Sequence, residues 1–187
     1  MPPEQPPGDA LKAAPSAQPL SLPGPAALWL LATGWFALNA ASQRLFSATA
    51  ETDQAAELVR SQLWQWGYGS QPPLYTWLAK LLLDLTGPAL WPLLALKVTI
   101  LSALVASLLQ IGRVLRFSHA QHCNTLAGIV LIPQFAWESQ RDLTHSVLAT
   151  LLASLTLLQL LRLQTRATAG NYALAGALSA GGMLSKY

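Results

Sequence analysis

Charged side chains are scarce in this sequence. Only 10% of its 187 residues are Asp, Glu, Lys or Arg, whereas 52% are hydrophobic, and the mean hydropathy is +0.37. A soluble domain carries charges on roughly a quarter of its residues, so this chain lacks the polar side chains to cover a water-exposed surface of its size. The composition therefore excludes an ordinary soluble domain and predicts an all-α, polytopic membrane protein.

Cysteine is almost absent. The single Cys123 excludes an intramolecular disulfide framework and a metal site built on paired cysteines. Clusters of basic residues interleaved with aromatic ones are also missing, although 11 basic against 8 acidic residues give a net charge of +3. In a membrane protein such an excess is typical of cytoplasmic loops, so we expect no nucleic-acid partner.

Proline, by contrast, is concentrated in residues 1–24, where it alternates with Ala, Gln and Ser and predicts a disordered cytoplasmic tail. Five apolar segments follow and predict about five transmembrane helices, since roughly 20 residues cross a bilayer. They cover residues 26–41 (extendable to Phe46), 90–114, 123–137, 147–163 and 171–187. The small residues of the last segment predict close packing against a further helix. We therefore expect residues 25–187 to be the N-terminal portion of a longer transmembrane domain.

The positions of the arginines predict which loops share a side of the membrane. Arg113 with Arg116, and Arg162 with Arg166, follow alternate spans. Because basic residues favour cytoplasmic loops, both pairs are expected in the cytoplasm. The polar loops at residues 51–75 and 138–146, together with Lys186, then all lie on the extracytoplasmic face. This convergence is the first indication of a functional site.

The first of these loops predicts an amphipathic helix. From Asp53 onward, the apolar residues recur on one face and the polar residues, Glu57 among them, on the other. Its tryptophans suit a helix lying in the membrane interface. Gly67, Gly69 and the Pro72-Pro73 pair are expected to end it, and residues 74–85 predict a second short helix.

Asp53, together with Glu51, is the leading candidate for acid–base chemistry. A carboxylate held at a membrane interface can accept a proton from an incoming hydroxyl or amine. The alternative is that Asp53 is the N-cap of the helix that begins at Gln54. The two roles are compatible.

Four further positions carry basic side chains where apolar helices end or pass. Arg141, in the loop 138–146, suits an anionic phosphate group, although simple solvation of the loop is the alternative. His145 with Glu138 or Asp142 is a candidate for a divalent metal, without a tight ligand spacing to support it. Lys97 lies inside a span and either faces a cavity or snorkels to the interface. Lys186 either snorkels or neutralises a phosphate.

An ordered set of residues after the first span resembles a known family. The set is Asp53, Ser61-Gln62, Trp66-Gly67-Tyr68 and Gln71-Pro72-Pro73-Leu74 with Trp77. It resembles the first extracytoplasmic loop of the family 39 membrane glycosyltransferases, the GT-C group that includes protein O-mannosyltransferases and the aminoarabinose transferase acting on lipid A. Residues 141–146 (RDLTHS) resemble the second loop of that family, and residues 176–187 resemble its small-residue helix ending in a lysine.

The resemblance implies a GT-C fold in a bacterial-type inner membrane, with the active side extracytoplasmic. It implies that Asp53 is the catalytic carboxylate that activates a lipid, glycan or protein acceptor. The donor would be a polyprenyl-phosphate sugar, attacked with inversion at the anomeric carbon. Arg141 and Lys186 would stabilise the departing phosphate, to which we add Lys97 from its position in the span.

Other residues have supporting parts in this interpretation. Glu51 and Asp142 are expected to be supporting acids, and Tyr68, Gln71 and His145 to line the loop and cavity. Two positions depart from the family pattern, since Gln54 stands where many relatives have Glu and His145 where they commonly have Asp. A requirement for a divalent metal therefore stays open.

Two other classes of function compete with the enzyme. In a transporter or flippase, Lys97 and Asp53 would guide an ion or a lipid, and in a membrane scaffold they would do no chemistry. A transporter more often carries ionisable groups near mid-membrane and internal repeats, and the sequence shows neither clearly. The pattern thus favours an enzyme, of which residues 1–187 alone are expected to be inactive.

Overall fold

The computed structural model describes residues 22–47, 49–142 and 144–186, so the predicted tail falls almost entirely outside the described residues. Within these ranges the chain is helical, which confirms the all-α prediction. The helices are α1 (Pro25–Phe46), α2 (Thr52–Arg60), α3 (Leu74–Thr86), α4 (Leu90–Val114), α5 (His119–Val130), a π-helical segment (Gln134–Glu138), α6 (Ser139–Arg141), α7 (Thr144–Leu163) and α8 (Ala169–Met183).

Two of the described helices, α4 and α7, are long and apolar enough to cross a membrane. The other three predicted spans correspond to α1, α5 and α8, but α5 ends at Val130 and α8 has only 15 residues. Pro133 lies just beyond α5, and after it the chain continues as the π-helical segment and α6. Because proline removes a backbone donor and disturbs the preceding turn, the third predicted span is broken there.

Helix α4 lies at the centre and packs against α1 and α7. The main core contains Tyr75, Ala79 and Leu83 of α3, Leu93, Ile100, Leu101 and Leu104 of α4, and Val147, Leu148 and Leu151 of α7. A buried hydrogen bond of 2.5 Å joins the hydroxyls of Ser107 on α4 and Ser154 on α7. Such polar contacts between apolar helices are favoured because their groups have no better partner in lipid.

Contacts at both ends show that α4 and α7 run parallel. Near the start of α4, the Lys97 ammonium donates to the carbonyls of Arg141 and Asp142, just before α7 begins. At the other end, Arg162 of α7 donates to the side chain of Gln110 of α4, 3.2 Å away. The polar loops therefore meet at one end of α4 and α7, and the arginines that follow the two helices lie at the other end, which is the relative placement that the charge pattern predicts.

Helix α2 is amphipathic as predicted, and its polar face points inward. Gln54 and Glu57 are only 3% and 1% exposed, whereas Val59 is 68% exposed. The helix also ends at Arg60, short of the predicted end near Gly67. A soluble protein would bury the apolar face, whereas lipid or a membrane interface can cover it from outside. The inward polar face is thereby available to build a site.

The loop after α2 closes through a tight turn and then contacts α8. Tyr68 and Gln71 exchange two backbone hydrogen bonds around Gly69, whose φ of +69° favours glycine. The buried Pro72-Pro73 pair follows, and the Leu74 amide donates to the Leu184 carbonyl at 3.1 Å. The Pro-Pro-Leu motif thus brings the end of α8 to the start of α3.

Gly112, in the last turns of α4, permits a close approach that a larger residue would block. A Cβ atom there would lie 2.5 Å from Cε1 of the buried His122 ring and 3.0 Å from Phe117. We expect Gly112→Ala to destabilise the fold by about 1–3 kcal/mol, because a packed ring must shift to admit the methyl group. Thermal unfolding of the full-length protein in detergent measures this change.

Gly128→Ala on α5 is the matched control, since outside its own stretch of helix no described atom lies within 4 Å of the position its Cβ would take. There, alanine is expected to be neutral or slightly stabilising because of its higher helix propensity. An equal loss of stability in both variants would contradict the packing explanation.

Candidate active site

The polar loops meet around the first turn of α7. Three consecutive residues of that turn each contact a side chain from a distant part of the chain: Thr144 contacts Asp53, His145 contacts Glu57, and Ser146 contacts Lys186. They belong to the RDLTHS segment, residues 141–146, of which Leu143 lies outside the described residues. This segment brings helix α2 and the residue after α8 to one place.

Asp53 lies in the first turn of α2, where a carboxylate interacts favourably with the helix dipole. Its Oδ2 atom accepts from the Thr144 amide at 3.4 Å and from the Thr144 hydroxyl at 3.5 Å, both long hydrogen bonds. The alternative that Asp53 is the N-cap is wrong, because the helix begins at Thr52 and Glu51 occupies the cap. The half-buried Asp53 carboxylate is thus only loosely engaged by these contacts.

Arg141 and Glu51 form the ion pair of the site. The guanidinium donates twice to Glu51 Oε1, at 2.9 and 2.6 Å, and lies 5.4 Å from the centre of the Trp137 ring. These hydrogen bonds and the charge of Glu51 raise the pKa of Arg141, so the guanidinium stays protonated. Both residues line a cavity of about 220 Å³ beside the end of α1.

Lys97 and Asp142 hold the RDLTHS segment in place, Lys97 through backbone carbonyls of the segment and Asp142 through the start of α2. Lys97 is 4% exposed, and its ammonium donates to the carbonyls of Arg141 at 3.1 Å and Asp142 at 2.9 Å. Two of its three donors are therefore used to hold the segment. The Asp142 carboxylate accepts from the Asp53 amide at 3.4 Å, where it complements the N-terminus of α2.

Lys186 reaches the same turn from the end of α8. Its exposed ammonium donates to the Ser146 hydroxyl at 2.6 Å. The neighbouring Ser185 is fully buried, and its hydroxyl donates to the His145 carbonyl at 3.4 Å. The predicted cations Arg141 and Lys186 therefore lie before and after the start of α7, with the Asp53 contact between them.

Glu57 is the site residue that the sequence interpretation missed. Its buried carboxylate accepts from the Thr76 hydroxyl at 2.9 Å and from Arg60 at 3.3 Å, and it lies 2.9 Å from His145 Nε2. The available signal was its spacing, because a residue four positions after Asp53 lies on the same helix face. The sequence placed Glu57 on the polar face of the helix without indicating a partner for it.

The loop residues and Tyr75 take different places. Tyr68 is buried, and its hydroxyl donates to the Leu63 carbonyl at 2.6 Å. Gln71 forms backbone hydrogen bonds with Tyr68, so both residues build the turn after α2. Tyr75 packs its ring against His145, with centres 5.3 Å apart. Burial raises the pKa of the Tyr75 hydroxyl, and Glu57 and Asp53 raise it further, so the phenol stays neutral.

The candidate metal ligands do not come together in the described part of the chain. His145 Nε2 faces Glu57 rather than Glu138 or Asp142, and the carboxylate of Asp142 faces the start of α2. Across residues 22–47, 49–142 and 144–186, no group of three or more His, Cys, Asp or Glu side chains is arranged to hold a metal ion.

Two helices of membrane-spanning length, with Asp53, Arg141 and Lys186 gathered near one end, define a helical protein with a polar site at its helix ends. The chain belongs to the dolichyl-phosphate-mannose-protein mannosyltransferase family, whose model matches residues 70–187. This membership confirms the resemblance to the GT-C glycosyltransferases and identifies the chain as part of a membrane glycosyltransferase family.

Two curated relatives are both from Rhizobium johnstonii. The chain is 32% identical over 162 residues to the lipopolysaccharide core galacturonosyltransferase RgtB. The aligned region covers 86% of this chain and 32% of RgtB. It is 30% identical over 160 residues to the lipopolysaccharide core galacturonosyltransferase RgtA, covering 84% of this chain and 32% of that protein. The chain thus spans about a third of the length of these relatives. No solved structure matches it significantly.

Proposed function

We propose that the full-length protein is a glycosyltransferase that moves a sugar from a polyprenyl-phosphate donor to an acceptor at the extracytoplasmic face of the membrane. The observation that carries this proposal is the meeting of Asp53, Arg141 and Lys186 around the first turn of α7. A lipid-linked donor arrives within the bilayer, so its phosphate must lie at the interface, where helices end. The site combines a carboxylate for the acceptor with cations for the phosphate.

In the proposed reaction, the Asp53 carboxylate takes the proton of an acceptor hydroxyl. The acceptor oxygen forms a bond to the anomeric carbon, the bond from that carbon to the phosphate oxygen breaks, and the configuration inverts. The bonding electrons leave with the polyprenyl phosphate, whose added negative charge Arg141 and Lys186 stabilise. The N-terminus of α7, with its positive dipole end, favours the same charge.

The positions of Lys97 and Glu51 suggest more indirect parts in this reaction. Lys97 would support the RDLTHS segment and add positive charge beneath it, rather than bind the phosphate directly. Glu51 would hold Arg141 until the donor phosphate arrives and competes for the guanidinium. Asp142 would keep the start of α2 in place through the Asp53 amide.

The relatives suggest the sugar and the acceptor. Because RgtA and RgtB are lipopolysaccharide core galacturonosyltransferases, the proposed sugar is galacturonic acid and the proposed acceptor is the lipopolysaccharide core. Helices α1 and α8, and the interrupted segment formed by α5 and the π-helical residues after Pro133, would cross the bilayer with α4 and α7, giving five crossings in a bacterial inner membrane. Exposed apolar side chains along α1, such as Leu31, Leu38 and Phe46, suit contact with lipid.

Reconstituted full-length protein tests this function. Vesicles with a polyprenyl-phosphate galacturonic acid and a truncated lipopolysaccharide core are expected to yield a galacturonosylated core, detected by mass spectrometry. A nucleotide-linked sugar offered in place of the lipid donor should yield none. Movement of the lipid across the bilayer without any transfer would instead favour the flippase alternative and reject the enzyme.

A further inference from the structure

The Glu57 carboxylate is the most completely enclosed acidic group of the site, at 1% exposure. It contacts three helices at once: its own helix through Arg60, α3 through Thr76, and α7 through His145. Such a buried carboxylate is costly unless its oxygens accept several hydrogen bonds, as they do here. None of the three contacts belongs to a bond-making or bond-breaking step of the proposed reaction.

Apart from Leu58, which packs against the main core, helix α2 has few short side-chain contacts that hold it in place. With nine residues, it is shorter than the roughly 12–15 residues that an isolated helix needs to be even marginally stable in water. Its apolar Val59 points outward, and the bonds from Asp53 to Thr144 are 3.4 and 3.5 Å long. The Arg141 ion pair holds the N-cap residue Glu51 at the start of the helix. Within Thr52–Arg60, the two 2.9 Å contacts of Glu57 are the shortest side-chain contacts to α3 and α7.

We propose that Glu57 and His145 are positioning residues: together they fix α2 against α3 and α7 and so set where the Asp53 carboxylate lies. This inference rests on the proposed function for the role of Asp53. One helical turn separates Asp53 from Glu57, and both project from the same face. A rotation or tilt of α2 after loss of the Glu57 contacts would move the Asp53 carboxylate with it.

The environment of His145 assigns its tautomer. Its Nδ1 atom is buried and has no hydrogen-bond partner among the described residues, whereas Nε2 lies 2.9 Å from Glu57. A neutral imidazole with its proton on Nε2 donates to the carboxylate and leaves only a lone pair unpaired. A glutamine at position 145 can donate the same hydrogen bond.

Hydrogen–deuterium exchange of the full-length protein tests the structural half of this proposal without any need for activity. In Glu57→Ala, amides of residues 55–60 are expected to exchange at least about tenfold faster than in the wild type, with those of residues 147–151 unchanged. Glu57→Gln and His145→Gln should fall between, because each keeps one hydrogen-bonding group. Unchanged exchange in α2, or equally faster exchange in α7, would overturn the proposal.

Kinetics test the functional half. Glu57→Ala is expected to lower kcat for sugar transfer about 100-fold with an unchanged donor KM, because a displacement of about 1 Å in a catalytic group has an effect of that size. Glu57→Gln should restore part of kcat. Asp84→Asn is the matched control, since that half-exposed carboxylate pairs with Lys80 on α3 and should leave the rate unchanged.

The outcomes of the two tests are distinguishable. A wild-type protein that transfers no sugar would reject the proposed function, while the exchange experiment would still decide whether Glu57 and His145 hold α2. A folded Glu57→Ala variant with wild-type kcat would overturn the positioning role even if the enzyme is confirmed. If Glu57→Ala does not fold, Glu57→Gln and His145→Gln test the positioning role by the same measurements of α2 exchange and kcat. Wild-type values in both variants would overturn it.

Discussion

Asp53→Asn in the full-length protein is expected to lower kcat for sugar transfer by about 10²- to 10⁴-fold, the usual contribution of a general base. Asparagine has nearly the same shape and can still accept from Thr144, so the contacts of α2 should persist. It cannot take a proton from the acceptor. Single-turnover transfer measures the chemical step, and titration with the lipid donor measures its affinity.

Donor affinity should change less than about threefold in this variant, because Asp53 acts on the acceptor. The matched control is again Asp84→Asn, which removes one carboxylate from the neighbouring α3. Transfer at the wild-type rate by Asp53→Asn would reject the catalytic assignment. A large loss of donor affinity with a normal rate of the bound complex would move Asp53 into the donor site instead.

Arg141→Ala is expected to raise the apparent KM for the lipid donor about 10- to 100-fold, because a hydrogen bond to a charged group contributes about 1.5–3 kcal/mol. The guanidinium is half-exposed beside a cavity of about 220 Å³, so a phosphate can approach it. Arg141→Lys should recover part of the affinity, since lysine keeps the charge and loses the planar fork. Steady-state kinetics over a range of donor concentrations measure both variants.

A second variant separates phosphate binding from a structural role in the ion pair. Glu51→Gln weakens the same ion pair from the other side and leaves the guanidinium in place. If Arg141 binds the phosphate, this variant keeps or improves donor affinity, because a competing carboxylate is gone. If Glu51→Gln loses affinity as Arg141→Ala does, the ion pair itself is what matters, and the phosphate role of Arg141 is wrong.

Apolar periodicity and helix breakers located most helices because these signals are local. The segments 74–85 and 90–114 reappear as α3 and α4 almost residue for residue. The segment 123–137 does not reappear as one helix, since Pro133 and the π-helical segment interrupt it. How a chain continues beyond a proline depends on the tertiary contacts available to its freed carbonyls, and those are not local.

The sequence alone placed Asp53, Arg141 and Lys186 as polar residues on one side of a membrane, since that follows from residue type and spacing. The resemblance to the family, carried by the order of its loop residues, then indicated a membrane glycosyltransferase with these three as candidates. Only the tertiary structure decided that the polar face of α2 points inward and that Lys97 holds the RDLTHS segment through its carbonyls. It alone paired Glu57 with His145, 88 positions apart. Periodicity gives the faces of a helix, whereas the surface that each face meets depends on where the rest of the chain folds.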